Sequence, residues 1–378
     1  MFGADELPDE SFDLAIIGAG PAGSVCANSA LAEFPDMRVA IVDRETFPRD
    51  KACGDAIRYD AVSKLKDLGL DAVFEGRRLI DNIQPAFPPR FQFLDQLFAH
   101  NAQSRAGCNS FHIVERRVFD NYLCKAALRA GAEDFTGFSL TDARSSQSGQ
   151  GWILTLKHNS GRTREVVCGV LVGADGAGSR VRRIAGLKRN QDKHTALGLR
   201  AYANAPGIAE NCMRFDYLEN FFPGYGWVFP LTGDRVNVGV GIHKIELKSC
   251  KRSLKSLLGE YFAYLRQTGI QVADPLPSDI KSFPLPLASQ TLELVPKPRL
   301  ALVGDAAAMI DPFTGEGIQF GIWAGDMLGC SVARSLRDGG DPQVGLESYA
   351  EAYAAHFGEV IAFSKNLSAR LRLINIFS

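Results

Sequence analysis

Apolar and polar residues follow two different periods along this chain, and the points where the period changes mark its elements. Residues 14–17, Leu-Ala-Ile-Ile, form an unbroken apolar run, the pattern of a short strand buried in a parallel sheet. The Ala-rich stretch 24–34 reads as a helix, and residues 38–42 as a second buried strand that ends at Asp43. Across 119–130 the helical period returns, with Phe119, Tyr122, Leu123, Ala126 and Ala127 on one face. Residues 152–157 alternate as a strand, Ser160-Gly161 supply a turn, and Val166 and Val167 belong to the next strand. Strand-like runs recur between 197 and 242. The clearest, Val236-Asn-Val-Gly-Val-Gly-Ile, alternates as a sheet facing a cavity on one side does. Residues 254–268 form a helical pattern, 274–286 a proline-rich return, and 80–105, with Pro85, Pro88 and Pro89, an inserted hairpin.

Glycines punctuate these runs where chemistry needs them. Gly18, Gly20 and Gly23 follow the first strand in G-x-G-x-x-G spacing. The first permits a tight turn, the second lets the backbone approach a pyrophosphate at a helix start, and the third allows strand and helix to pack closely. Asp43 stands about 20 residues on, where a ribose hydroxyl finds its acceptor. Near the other end, an apolar strand runs into Gly304-Asp305, and a loop through Pro312 and Gly315-Glu316-Gly317 opens a helix. A carboxylate there can accept bonds from ribityl hydroxyls, and the free N–H groups of the helix start suit the pyrimidine edge of a flavin. In the middle, Gly173, Asp175 and Gly176 follow a buried run, with Ser179 at the next helix start. These residues fit a phosphate or ribose contact, and equally a plain capped helix.

Composition narrows the partners. The chain has 378 residues, 46% of them hydrophobic, enough to bury one large or two moderate domains. A formal net charge of -1 argues against nucleic acid as the main partner. Eight cysteines are scattered with neither C-x-x-C nor metal spacing, so no metal site is expected and free thiols in a reducing cytoplasm are the simplest account. The acidic start lacks the apolar core of a signal peptide, and no apolar run is long enough to span a bilayer.

The three glycine-acid signals, in this order, resemble the p-hydroxybenzoate-hydroxylase-like flavoproteins over about residues 12–330. Two further segments are similar to the geranylgeranyl reductase family: Lys51-Ala-Cys-Gly-Asp-Ala, and Pro223-Gly-Tyr-Gly-Trp-Val-Phe-Pro230. Arg116, with Phe119 and Asp120, matches that family's arginine-led helix start. The resemblance implies an α/β fold with a discontinuous Rossmann-like FAD-binding domain (1–79, 106–190, 287–335). It also implies an interleaved substrate domain with a mixed or antiparallel sheet (80–105, 191–286) and a C-terminal helical segment (336–378). It implies FAD contacts from Gly18, Gly20, Pro21, Ala22 and Gly23, from Asp43 and Arg44, and from Cys53, Gly54, Asp55 and Arg116. Asp175, Gly176 and Ser179 follow, then Gly304, Asp305, Pro312, Gly315, Glu316, Gly317 and Ile318. Tyr225, Trp227, Phe229 and Pro230 are the implied substrate positions, with Cys53, Tyr225 and Trp227 the catalytic ones.

The expected chemistry is reduction of carbon–carbon double bonds in a prenyl substrate of geranylgeranyl type, a hydride coming from reduced flavin and a proton from an aligned acid. Flat aromatic walls suit a polyprenyl chain, although aromatics on strands are also ordinary core. Cys53 is either a buried small hydrophobe or a thiol whose pKa the adjacent Lys51 lowers. NADPH or ferredoxin would supply electrons. An FAD-dependent monooxygenase or halogenase of specialised metabolism is the rival on the same scaffold, although Tyr225 and Phe229 stand where halogenases carry Trp and Ile. A lipid carrier would have a degraded flavin site, and a plain NAD-dependent dehydrogenase has no use for the Gly-Asp and Asp-Gly segments. At the C-terminus, Phe357, Val360, Ile361, Ser364, Leu367, Leu371 and Ile374 form an apolar stripe. It reads first as a helix closing the back of the substrate domain, and second as a peripheral membrane contact.

Overall fold

The structure is a computed structural model and describes residues 10–88, 110–219 and 222–376. The first sheet is the parallel core announced by the apolar runs. β1 (Ser11–Ile17) lies between β2 (Val39–Asp43) and β9 (Thr163–Gly173), parallel to both. β6 (Glu133–Thr136) extends the sheet beyond β2, and β15 (Leu300–Leu302) pairs with the end of β9, again in parallel. β8 (Trp152–His158) pairs antiparallel with the start of β9, and β7 (Phe138–Ser145) with β8. Leu14, Ala15 and Ile16 are fully buried because both faces of β1 are covered.

The second sheet runs in the order β14 (Lys281–Pro286), β10 (Thr195–Asn204), β13 (Arg235–His243), β12 (Tyr225–Pro230), β11 (Cys212–Asp216) and β4 (Asn82–Ala86). Its pairings are antiparallel except for β4, which runs parallel to β11. The segment read as an inserted hairpin therefore begins as an edge strand of this sheet; residues 89–105 of it lie outside the described residues. The proline-rich return is likewise a strand, with Pro284 and Pro286 tolerated because β14 is an edge. β3 (Ala56–Arg58) and β5 (Phe111–Ile113) form a small ribbon between the sheets.

The α-helices among the described residues are α1 (Pro21–Glu33), α2 (Tyr59–Asp67), α3 (Arg116–Arg129), α4 (Arg180–Ile184), α5 (Lys244–Ser249), α6 (Leu254–Gln267), α7 (Ile318–Arg337) and α8 (Pro342–Ile376). The alternation in β13 divides two environments. Val236, Val238, Val240 and Ile242 pack into a core with Leu257, Tyr261 and Phe262 of α6. Asn237, Gly239 and Gly241 face the other way, and a Cβ on Gly239 would stand 2.1 Å from the Trp227 ring.

Two close approaches set the position of everything near the nucleotide end. Gly321, Gly325 and Gly329 recur every four residues on α7, and this groove receives α1. A Cβ on Gly325 would lie 2.3 Å from the Ala22 carbonyl oxygen, and one on Gly329 2.3 Å from that of Cys26. The second approach is α8, whose buried line is Tyr353, Phe357, Ser364, Ser368 and Leu371. Val360, expected on the buried stripe, is instead 46% exposed, since the line drifts round the helix away from it. Ser364 Oγ donates to Asp311 at 2.6 Å, and Arg372 Nε to Glu246 at 2.7 Å. α8 thus ties the loop before α7 to the second sheet's flank.

Candidate functional site

The glycine fingerprint is built by contact. Gly18, at φ 112°, turns so tightly that a Cβ would meet the Ala174 carbonyl oxygen at 2.3 Å, and one on Gly23 would meet the Gly18 oxygen at 1.9 Å. Gly20 is different: only Arg49 Nη2 lies near its missing Cβ, at 3.6 Å, so its backbone is approachable. Pro21 begins α1, Ala22 follows within it, and no side chain caps the helix start. Asp43 is buried at the end of β2, where its two oxygens accept from the N–H groups of Ala19 and Glu45, each at 2.9 Å. Arg44 points outward and pairs with Glu45 at 3.4 Å.

A cation cluster that the spacing of motifs did not identify completes this end. Arg49 lies 3.0 Å from Asp120 and 3.8 Å from Asp43. Arg116, at the start of α3, grips the same Asp120 with Nε at 2.6 Å and Nη2 at 2.7 Å and also bonds the Cys53 sulfur. Two guanidiniums, Arg49 and Arg116, share the fully buried Asp120, and Arg49 also faces Asp43, so the charges balance while Arg49 stays beside the Gly20 turn.

The middle motif has a more local geometry. Asp175 accepts from Ser179 Oγ at 2.5 Å and from the Arg180 N–H at 2.6 Å, and Ser179 in turn caps α4 through the Arg182 N–H at 2.9 Å. These are the bonds of a helix cap. Burial pushes the Asp175 carboxyl up, against the pull of its Ser179 bond. Gly176, at φ 76°, makes the turn between them. The motif reaches the fingerprint through Ala174, which packs on Gly18 and Gly23.

The third motif closes the ring. A Cβ on Gly304 would stand 3.3 Å from that of Ala22, and Asp305 pairs with Lys51 Nζ at 3.0 Å. The loop before α7 is pinned by Asp311, whose Oδ1 accepts from the N–H groups of Phe313 (2.8 Å) and Thr314 (2.7 Å). Pro312 follows Asp311, and Gly315, at φ 74°, turns the chain toward Gly317 and Ile318, where α7 starts without a capping side chain. Glu316 is held by Gln319 Nε2 at 3.0 Å and Arg58 Nη1 at 3.4 Å; burial pushes its carboxyl up and Arg58 opposes the rise.

Against this ring stands an aromatic wall. Trp227 and Phe229 stack with centroids 6.1 Å apart, and Phe215 meets Phe229 edge-on at 5.1 Å. Phe229 comes so close to the Cys53 turn that a Cβ on Gly54 would stand 2.9 Å from its ring. Pro230 ends the strand, opposite Val236. The polar tips are committed to protein partners. Tyr225 donates to the Thr314 carbonyl at 2.5 Å, pinning the glycine loop, and Trp227 Nε1 donates to Asn237 Oδ1 at 2.9 Å. Asn237 passes the link on, donating to Cys53 O and to Asp55 Oδ2, both at 2.8 Å. Neither Asn237 nor Tyr202, which donates to Asp55 at 2.7 Å, stands in any motif. Burial raises the Cys53 thiol pKa, and the cations Arg116 and Lys51 only partly offset the rise.

The residues fit an FAD. Glycines at positions a Cβ would fill, two uncapped helix starts, a buried Asp at the end of β2 and a guanidinium beside the Gly20 turn are what a dinucleotide with a pyrophosphate needs. Among the described residues no group of three His, Cys, Asp or Glu could hold a metal ion, and no helix is long and apolar enough to cross a membrane.

The family model described as FAD binding domain matches residues 11–364. A menaquinone reductase of Mycobacterium tuberculosis is 31% identical over 323 residues, 84% of this chain and 75% of that protein. Digeranylgeranylglycerophospholipid reductase 2 of Methanopyrus kandleri is 28% identical over 370 residues, 94% of this chain and 86% of that protein. Among solved structures, a geranylgeranyl bacteriochlorophyll reductase-like protein of Thermoplasma acidophilum has a TM-score of 0.77 at 20% identity, covering 96% of this chain and 88% of that one. A flavin-dependent halogenase has a TM-score of 0.71 at 19% identity, covering 92% of this chain and 62% of that one. At such identities the likeness is one of fold.

Proposed function

Because the chain belongs to the FAD-binding-domain family, among the geranylgeranyl-reductase-like flavoproteins, and is an FAD-dependent oxidoreductase, we propose that it reduces carbon–carbon double bonds in the prenyl chain of a lipid. One observation carries this reading: the wall at the Cys53–Gly54 turn is built of aromatic rings, Trp227 and Phe229 each only 5% exposed, while the polar hydrogens of Tyr225 and Trp227 are spent on Thr314 and Asn237. Such an apolar surface suits an apolar chain, and these two side chains keep no donor hydrogen for a polar aromatic substrate.

When bound, FAD supplies the hydride. The chain supplies the rest. Arg49 and Arg116 would balance the charge of the pyrophosphate end, and Asp43 would accept from ribose. The start of α7 would serve the pyrimidine edge, its N–H groups stabilising negative charge there. Tyr225 holds the Gly315 loop in place, and the stacked rings of Trp227 and Phe229 exclude water from the reacting alkene. The Cys53 thiol, kept protonated by its buried setting, is a proton-bearing group at the wall. NADPH or ferredoxin delivers electrons to the cofactor from outside. On α8, exposed Phe363 (61%) and Leu373 (54%) beside Lys365 and Arg370 support a peripheral contact with anionic lipid.

The test is anaerobic turnover of the reduced enzyme with prenylquinones, prenylated glycerolipids and prenyl diphosphates, offered both in anionic vesicles and in detergent. The mycobacterial relatives are named menaquinone reductase, so a prenylquinone heads the panel. The expected product gains two hydrogens per reduced bond, and turns over faster from vesicles. Product formed only when oxygen is consumed would replace the reductase by a monooxygenase or halogenase.

A further inference from the structure

The Cys53 turn is connected by a line of hydrogen bonds to the half-buried Tyr202 of β10, which stands directly across from Asn237 on the same face of the second sheet. Asp55 is completely buried in the left-handed region at φ 65°, and its backbone is clamped there by the Val114 N–H, which donates to its carbonyl at 2.9 Å. Asp tolerates that conformation better than most residues, but a fully buried acid in it is an unusual pairing of strain and desolvation. Its carboxylate accepts from Tyr202 Oη (2.7 Å), Asn237 Nδ2 (2.8 Å) and the Arg116 N–H (3.3 Å). Tyr202 is only half-buried, and its ring lies between two guanidiniums, Arg200 at 3.9 Å and Arg235 at 5.2 Å. Inward, the same Asn237 amide that holds Asp55 holds the Cys53 carbonyl, and the Cys53 sulfur accepts the Asp55 N–H.

We propose that Tyr202 and Asp55 form a proton-entry route, carrying protons from solvent beside the half-buried Tyr202 to the Cys53 turn. The route rests on the reductase reading, since each double bond reduced takes one hydride from the bound cofactor and one proton from the protein. The step balances as follows. The Cys53 S–H bond breaks as the new C–H bond forms on the alkene. The thiolate takes the proton of the Asp55 carboxyl. The Asp55 carboxylate takes the Tyr202 hydroxyl proton, and the tyrosine oxygen is refilled from water, for a net uptake of one solvent proton.

The charges around Asp55 suit a group that gives and regains a proton near neutrality. Burial raises its carboxyl from the usual 3.8 to about 6, opposed by Tyr202, Asn237, Arg200 and Arg116. Tyr202, raised by burial and by Asp55 itself, keeps its proton except in transfer. Cys53 is raised further while Asp55 is ionised.

The test uses the holoenzyme with Asp55→Asn and Tyr202→Phe, both of which keep the shape of the site. Infrared difference spectra across pH, without substrate, are expected to show a protonated-carboxyl band that fades as pH rises through about 6, is absent in Asp55→Asn, and titrates at a shifted pH in Tyr202→Phe. In single turnovers with an olefin, the hydride-transfer step is expected to slow about a hundred-fold in Asp55→Asn, to lose its dependence on pH, and to leave KM near the parent value. Absence of a titrating band assignable to Asp55 overturns the route. So do variants that keep the parent rate and pH profile, or that weaken only FAD binding and KM, as a merely structural acid would. A parent enzyme that reduces no olefin removes the reductase reading and the route together, whereas an active parent with equally active variants removes the route alone.

Discussion

At the scale of single residues, Arg49 shows what spacing cannot reveal. It lies just ahead of the Lys51–Asp55 segment but belongs to no motif itself, and it acquires a role only because folding sets it between Asp43 and Asp120, the latter 71 residues away. Arg49→Ala is expected to weaken FAD binding about thirty-fold, roughly 2 kcal/mol for a charge-assisted contact, in a flavin fluorescence titration. An unchanged Kd would remove Arg49 from the site. Asp55 makes a second prediction, with a definite sign. The folded chain holds this proton up to about pH 6 and the unfolded chain only to about 3.8, so between those values the folded state binds more protons and stability falls as pH rises. Asp55→Asn should flatten that decline by on the order of 2–3 kcal/mol in denaturant midpoints at about pH 4 and about pH 7, relative to the parent. Gly18, Gly20, Gly23, Asp43, Gly304 and Asp305 were legible because backbone chemistry demands them at fixed local offsets. Asn237, Tyr202 and Arg49 were not, since the contacts that tie them to the Cys53 turn and to Asp120 span 71 to 184 residues.

At the scale of elements, the approach of α1 to α7 links the two glycine-rich helix starts. Alanine in place of a helix-interior glycine normally stabilises by about 1 kcal/mol. Here a Cβ on Gly325 would collide with the Ala22 carbonyl oxygen at 2.3 Å, against rigid backbone. Overpacking of this kind costs about 1–3 kcal/mol. Gly325→Ala is therefore expected to lower Tm despite its better propensity, and to weaken FAD binding, because Ala22 lies two residues past Gly20. A variant at least as stable as the parent would show that the helices yield freely. The periodic elements were legible to within a few residues: α3 starts at Arg116 where the pattern began at 119, and β13 carries both of its faces in plain alternation. The edge strands β4 and β14 were obscured by their prolines, which signal turns locally but are permitted where one side of a strand bonds nothing. The drift of α8 exposed Val360 because a nominal repeat read over many turns departs from the true helical period.

At the scale of the molecule, the cofactor site is a ring of segments from both ends and the middle of the chain. Lys51 meets Asp305, Ala22 meets Gly304, and Ala174 meets Gly18. A ligand gripped by such a ring stabilises the whole fold. Saturation at about a thousand times Kd adds about 4 kcal/mol. Removing FAD is therefore expected to lower Tm, with both sheets melting in one transition by far- and near-ultraviolet circular dichroism. A substrate sheet that melts independently of FAD would contradict this. The fold class was legible because three local signals in a fixed order imply one scaffold, whereas the route from Tyr202 to Cys53 exists only after the sheets have met. The bond from Ser364 to Asp311 adds a temporal side to this geometry. During synthesis the fingerprint at Gly18 leaves the ribosome well before α8, so a nascent chain carries a half-made nucleotide cradle until Ser364 has emerged. The coenzyme can be locked in only after that residue has joined Asp311.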